Sequence, residues 1–448
     1  MRLFPALVSW LTLGALHSAT ASAEDVYRWI QYVDGGHEAR VATSAASCPD
    51  AMLGNELATM SVRADPDGAF PILVCALSIP TGTRRVAIGG MPLVLPKPTP
   101  ERILLIGDTG CRISSKKAQA CNDISEWPFR LIADTAAEMK PDLVIHVGDY
   151  YYRETACPPG KGCAGSPSGD RWDSWREDFF APARPLLAAA PWVFVRGNHE
   201  KCGRGGRGWS RLLDAFPFDA PSACKDGYVS SPSRVSCEKD VSPRFVAHIG
   251  EVKLVVIDVS AADEDDPEPN NLVECYRLQF EAAASLKGPV WLAFHEPIWS
   301  PRGKEDGKKD GNPTLALAAR AALASNANVT AMLSGHIHTF EVMSYFDDLP
   351  MQIVSGHSGD QLECFGHEDK CSHQKQFNNH EIKFDDDSIA TAKVKFGYGV
   401  PNKFGFSMID RHDDMWTITE HDIHANKQLK CDMRGREIAC ERLAKTPE

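Results

Sequence analysis

The chain has 448 residues, 43% of them hydrophobic, with 60 acidic against 48 basic side chains and a formal net charge of −12. That balance argues against broad nucleic-acid binding, which calls for a basic face. A small phosphorylated substrate stays open, because it needs only local positive charge.

Arg2 precedes an apolar run over residues 3–16, and Ala21, Ser22 and Ala23 stand before the charged Glu24 and Asp25. This order predicts a secretory signal peptide over residues 1–23, cleaved after Ala23, and hence a secreted or periplasmic protein. The apolar run is short for a bilayer span, and the lack of a nearby cysteine argues against a lipid anchor. All fourteen cysteines follow it, an even number, and export permits disulfides. Five pairs are expected: Cys48 with Cys75, Cys111 with Cys121, Cys157 with Cys163, Cys364 with Cys371 and Cys431 with Cys440. Cys202, Cys224, Cys237 and Cys275 allow three pairings, among which the sequence does not choose.

Residues 24–97 alternate in short runs at 27–32, 38–43, 58–63, 70–75 and 84–88 with turn signals between them. They predict a small N-terminal β-sandwich-like domain. Pro92, Pro96, Pro98 and Pro100 then mark a stiff linker. From residue 98 to 425 the texture becomes α/β. Residues 102–106 read as a buried strand ending in Gly107 and Asp108, and residues 124–140 as a helix. A second strand, 143–147, ends in Gly148 and Asp149, and an amphipathic stretch over 172–190 precedes a third strand, 192–195, ending in the run Arg196 to Glu200. Strands are further expected at 253–258 and 290–294 around a helix at 276–287, the second closing on His295. Residues 329–333 form another, running into the sequence GHIH at 335–338. Segments 352–354, 393–396, 404–409 and 415–419 are expected to close a second sheet. The acidic run 263–269 reads as a solvated loop, and 426–448 as a disulfide-stapled tail. Strands alternating with helices, with polar residues at each strand's carboxyl end, predict an α/β fold with its site along that edge.

The strand ends supply Asp108, Asp149, Asn198, His295, His336 and His338. Side chains two apart on extended backbone point the same way, so both histidines of GHIH can reach one cleft. Carboxylate, amide oxygen and imidazole together suit iron, manganese or zinc. One carboxylate can bridge two ions about 3.5–4 Å apart, the arrangement that clamps both oxygens of an in-line phosphoryl displacement.

The order GD, GD, GNHE, H, GHxH resembles the calcineurin-like metallophosphoesterases over roughly residues 102–341. Most of that superfamily carries Asp-x-His in the first motif; here Asp108, Thr109 and Gly110 stand there and that histidine is missing. The second motif reads Gly148, Asp149, Tyr150, Tyr151, Tyr152. A GDxG motif paired with GDxxY is similar to the purple acid phosphatases, in which the tyrosine takes the vacated position. The resemblance implies a two-sheet α/β sandwich as the catalytic fold. It also implies a first ion, ferric iron, held by Asp108, Tyr152 and His338. A second, divalent iron, zinc or manganese ion would be held by Asn198, His295 and His336, with Asp149 bridging. The fourth motif, VxxH in the family, reads Leu292 to His295 here, and Arg153 and Glu154 replace the Ala-Asp common after the tyrosine in plant members. By the same resemblance the exported protein is expected to be a phosphomonoesterase in which metal-bound hydroxide attacks phosphorus and His199 contacts the phosphoryl group or leaving group. Arg196, Arg204 and Arg207 flank that histidine as candidate substrate contacts. The insert 155–170 follows the second motif directly and is a candidate specificity loop. A phosphodiesterase or phospholipase with the same ions remains the alternative, as does a non-catalytic metal-binding protein.

Overall fold

The computed structural model describes residues 26–219, 241–262, 270–302, 310–363, 375–413 and 415–443. The expected signal peptide, the acidic run 263–269, and Cys224, Cys237, Cys364 and Cys371 lie outside these residues.

Two large sheets face each other. In the first, the parallel strands Arg102–Ile106, Leu143–His146 and Trp192–Phe194 lie side by side. In the second, Val252–Val256, Val290–Ala293, Val329–Ser334 and Met351–Ser355 run parallel in that order. Period-two alternation sorts each strand between two cores. Ile103, Leu105, Leu143, Ile145 and Val193 point inward against Leu254, Trp291, Ala331, Leu333 and Ile353 of the opposite sheet. Leu104, Ile106 and Val144 point outward beneath the helices Phe129–Glu138 and Ala181–Ala189. The outer face of the second sheet is covered by Asn270–Ala284 and Pro313–Ala324. Because both faces of every central strand are buried, the strands carry continuous apolar runs. The α/β two-sheet sandwich is therefore as the sequence predicts.

The boundaries of that sandwich differ from the expectation in three places. Gly405–His412 and Met415–Asp422 join the first sheet, with Gly405–His412 antiparallel to Arg102–Ile106, rather than closing the second. The stapled tail is the edge hairpin of the same sheet, Lys427–Arg434 with Glu437–Arg442, and Cys431 and Cys440 are directly opposed partners in it. The N-terminal strands do form one side of a β-sandwich, against a small sheet built from Ala51–Leu53, Glu56–Ala58, Val86–Ile88 and Met91–Leu93. Their layer, however, continues the catalytic sheet, because Val26–Val33 pairs in parallel with Trp192–Phe194.

Four of the expected disulfides are present, Cys48–Cys75, Cys111–Cys121, Cys157–Cys163 and Cys431–Cys440. Cys202 and Cys275 are disulfide-bonded as well. Among the described residues no helix is long and apolar enough to cross a membrane.

The N-terminal strands also reach the loop beside the site. Arg40 donates to the carbonyls of Leu212 and Asp214 at 3.0 and 2.8 Å, and Arg63 to those of Ser210 and Arg211 at 2.9 and 3.0 Å. These carbonyls end the helix Gly206–Leu212, where orphan acceptors and the helix dipole both favour cations. Trp29, fully buried, packs on Phe180 with ring centroids 5.5 Å apart. A fragment comprising residues 98–448 should consequently fail to give soluble, cooperatively unfolding protein, since it bares a central strand edge and uncaps that helix. Near-UV circular dichroism and a thermal melt matching the full chain would show the N-terminal layer to be an independent domain.

Candidate metal centre

The site lies where the parallel strands of both sheets end. Asp108 follows Arg102–Ile106, Asp149 follows Leu143–His146, and Asn198 and His199 follow Trp192–Phe194. From the second sheet, His295 follows Val290–Ala293, and His336 and His338 follow Val329–Ser334. Each chain reverses sharply here, and Asp108, Asp149 and His336 all take left-handed backbone, with φ of 54°, 60° and 69°. Such conformations cost non-glycine residues of order 1–3 kcal/mol each and persist where surrounding contacts over-determine them. The contacts are visible: the His336 N–H donates to Asp108 Oδ2 at 2.9 Å, and the His199 N–H to Asp149 Oδ1 at 2.9 Å.

Two imidazoles fix the chemistry. His295 Nδ1 lies 2.7 Å from the Val147 carbonyl, and His338 Nδ1 lies 2.8 Å from that of Gln361. A carbonyl only accepts, so each Nδ1 carries the proton and each Nε2 turns a lone pair into the cleft. What those lone pairs meet are chiefly carboxylate oxygens, with the Tyr152 hydroxyl also 3.2 Å from His338 Nε2. His295 Nε2 sits 3.1 Å from Asp149 Oδ2 without hydrogen-bond alignment. His338 Nε2 is 3.5 Å from Asp108 Oδ1 and 3.4 Å from Asp360 Oδ2. Asn198 Oδ1 is a buried acceptor without a partner. Ligand atoms of Asp149, His295 and His336 all lie within 4.8 Å of one another. Acceptors converging on buried space are what a cation would satisfy, so the donor set fits metal binding.

The electrostatics agree. Burial pulls the His295 imidazole down, yet the Asp149 charge outweighs it and raises it to about 10. Burial acts to raise the Asp149 carboxyl, but His295 and then His199 hold it well below the usual range. The buried carboxylates thus favour positive charge at this place.

The three tyrosines separate cleanly. Tyr150 Oη bonds to the Val195 carbonyl at 2.9 Å, and Tyr151 Oη to that of Arg153 at 3.0 Å. Tyr152 Oη instead lies 2.7 Å from Asp149 Oδ2, 3.0 Å from Asp108 Oδ1 and 3.2 Å from His338 Nε2. Gly110, where a histidine is missing, faces that ring. A Cβ there would lie 2.9 Å from Tyr152 Cδ2 and 2.8 Å from the Tyr150 carbonyl. The ring fills the space a side chain at 110 would need.

The His199 ring lies against that of Tyr152, tilted by 46° with centroids 3.9 Å apart. Its Nδ1 lies 3.0 Å from Glu154 Oε1, and Arg204 Nη2 lies 2.7 Å from Nδ1 and 2.6 Å from Nε2. Burial, the largest effect, pushes the imidazole down to about 4. Of the three flanking arginines, only Arg204 touches this histidine. Arg196 is buried against Asp258 at 3.1 Å, and Arg207 pairs with Asp67 of the N-terminal strands at 3.1 Å. Both guanidiniums are thus paired with carboxylates of other segments. Asp360 and Arg112 were not anticipated. A Gly-Asp pair does occur after the buried strand Met351–Ser355, but residues 356–358 separate Gly359 and Asp360 from its end, whereas Gly107 and Asp108 follow theirs directly.

The profile of the calcineurin-like phosphoesterases matches residues 101–340. Among solved structures, the chain is similar to a purple acid phosphatase from yellow lupin (Lupinus luteus) seeds at 12% identity and a TM-score of 0.50. That match covers 90% of this chain and 72% of the lupin protein. It is similar to PhoD at 11% identity and a TM-score of 0.51, over 94% of this chain and 92% of PhoD. At these identities the likeness is one of fold. A search of curated proteins finds no match.

Glu200 holds the loops in register without facing the cleft. Its carboxylate accepts from the N–H groups of Asp149, Tyr150, Tyr151 and Gly197 at 2.9–3.2 Å. Glu200→Ala strands four buried donors, at about 1–3 kcal/mol for each that finds no water. The expected result is a melting temperature several degrees lower together with weakened metal uptake. Unchanged melting and metal content would show that the left-handed turn at Asp149 holds itself.

Proposed function

The chain belongs to the calcineurin-like phosphoesterases, and on that footing we propose an exported, two-ion phosphomonoesterase of the purple acid phosphatase type. The observation carrying this reading is Asp149 Oδ2, which lies 2.7 Å from Tyr152 Oη on one side and 3.1 Å from His295 Nε2 on the other. One carboxylate thus touches both halves of the ligand set. Asp108, Tyr152 and His338 would hold a ferric ion, Asn198, His295 and His336 a divalent iron, zinc or manganese ion, and Asp149 would serve both. When bound, such a pair supplies Lewis acidity, polarising a phosphoryl oxygen and making water acidic enough to act at neutral or acid pH.

The chain's own groups do the rest. With Arg204 drawn off to a substrate, Glu154 would accept a proton from His199 Nδ1 and leave Nε2 to a phosphoryl oxygen or departing group. Arg204 lies against both ring nitrogens and would hand that place to a substrate, its guanidinium suited to two phosphoryl oxygens. The insert 155–170, stapled by Cys157–Cys163 and packed on Cys111–Cys121, is the proposed specificity loop. Export is supported by the disulfides and by the N-terminal pattern of the sequence.

An aryl phosphate monoester should be turned over faster than the matching diester. The reverse order would favour the diesterase reading, and inertness of metal-loaded protein to both would favour a non-catalytic metal binder. Asp149→Ala should lose metal and activity together, while Tyr151→Phe should be nearly silent. Iron-loaded protein, with iron confirmed by elemental analysis, should carry a visible phenolate band. Tyr152→Phe should remove it, and Tyr150→Phe and Tyr151→Phe should leave it in place.

A further inference from the structure

One buried ion pair faces the cleft without belonging to the proposed ligand set. Asp360 is fully buried, with Oδ2 3.4 Å from His338 Nε2. Both its oxygens accept from Arg112 Nε, at 3.1 and 2.9 Å, and Oδ2 also contacts Nη2. The guanidinium carbon lies 4.6 Å from the centroid of the Tyr152 ring, above its face. Only 20% of the Arg112 side chain is exposed.

Both partners are held by backbone that cannot easily drift. The Asp360 N–H donates to the Asp108 carbonyl at 2.8 Å. Gln119 accepts from the Arg112 N–H at 3.2 Å through Oε1 and donates through Nε2 to the Gly359 carbonyl at 2.9 Å. One glutamine therefore ties together the two loops that carry the pair. The Cys111–Cys121 disulfide closes the loop immediately beside it. The neighbouring Ile113 N–H donates to the Tyr152 carbonyl at 3.0 Å, so the loop bearing Arg112 is also bonded to the residue it covers.

We propose that Arg112, clamped by Asp360, is a positioning residue that fixes the plane of the Tyr152 ring and keeps a permanent positive charge on its face. This rests on the reading of Tyr152 as the ferric ligand. A guanidinium suits the task because its planar fork takes both carboxylate oxygens and so defines its own orientation, while its flat face can lie on the ring. A lysine offers a point charge without that plane. The electronic consequence follows from Coulomb's law. A cation against the face stabilises the electron-rich phenolate more than the state in which it has given an electron to iron. Charge transfer therefore requires more energy with Arg112 in place than without it.

The test uses the full chain loaded with ferric iron, with iron content measured alongside the visible spectrum. Arg112→Met should retain iron while its band moves to longer wavelength. Arg112→Lys should restore part of the shift. A band at the wild-type wavelength in iron-replete Arg112→Met overturns the inference and leaves the Tyr152 assignment standing. A band that survives Tyr152→Phe, or is missing from the iron-loaded wild type, overturns the assignment and the inference with it. If Arg112→Met takes up no iron, Arg112→Gln, which still donates to Asp360 without charge, is read by the same criterion. Loss of iron in both variants overturns the inference, because the pair would then be a folding element.

Discussion

Lone pairs facing lone pairs are the constraint on which this molecule depends. His295 and His338 each commit Nδ1–H to a backbone carbonyl and turn Nε2 toward carboxylate oxygens. Without positive charge between them that arrangement is repulsive, and the Asp149 charge accordingly raises the His295 imidazole. Everything around the cleft serves to hold the acceptors together. Left-handed turns at Asp108, Asp149 and His336 aim the side chains. Glycine gives the room: a Cβ on Gly197 would come within 2.1 Å of Asp149 Oδ1. The Glu200 carboxylate gathers four amide donors behind the ligands. Buried carboxylates and imidazoles this close would cost several kcal/mol unpaired, so the rigid frame and the convergence of charge are two sides of one design.

The frame itself follows from facing two sheets so that their parallel strands end along one edge. The first sheet brings Asp108, Asp149, Tyr152 and Asn198; the second brings His295, His336, His338 and Asp360. Neither sheet holds a complete donor set, so the inter-sheet core does more than stabilise the fold. It sets the distance between the halves of the site. The N-terminal layer contributes at one remove, capping through Arg40 and Arg63 the helix that follows the His199 and Arg204 loop.

The central strands and the six strand-end residues were legible because a doubly buried strand has a continuous apolar run and stops at Gly-Asp, Gly-Asn or His. The exchange of a side chain at Gly110 for Tyr152 was legible too, and the packing of that ring on Gly110 gives its physical reason. Neighbours of the later strands were not. Gly405–His412 is apolar on both faces, which marks it as central without saying which sheet it enters. Nor does adjacency to His199 say which way an arginine turns: Arg204 reaches the imidazole, while buried Asp258 and exposed Asp67 take Arg196 and Arg207. Such ion pairs span 62 and 140 residues of sequence, beyond any local pattern.

The central claim is that Asp149 lies between two ions, and locating the ions tests it most directly. Anomalous difference maps from crystals of the metal-loaded protein should show two peaks about 3.5–4 Å apart. One should lie among Asp108, Tyr152 and His338, the other among Asn198, His295 and His336, with the Asp149 carboxylate shared. A single peak, or two peaks with Asp149 bound to neither or to one alone, would contradict the account.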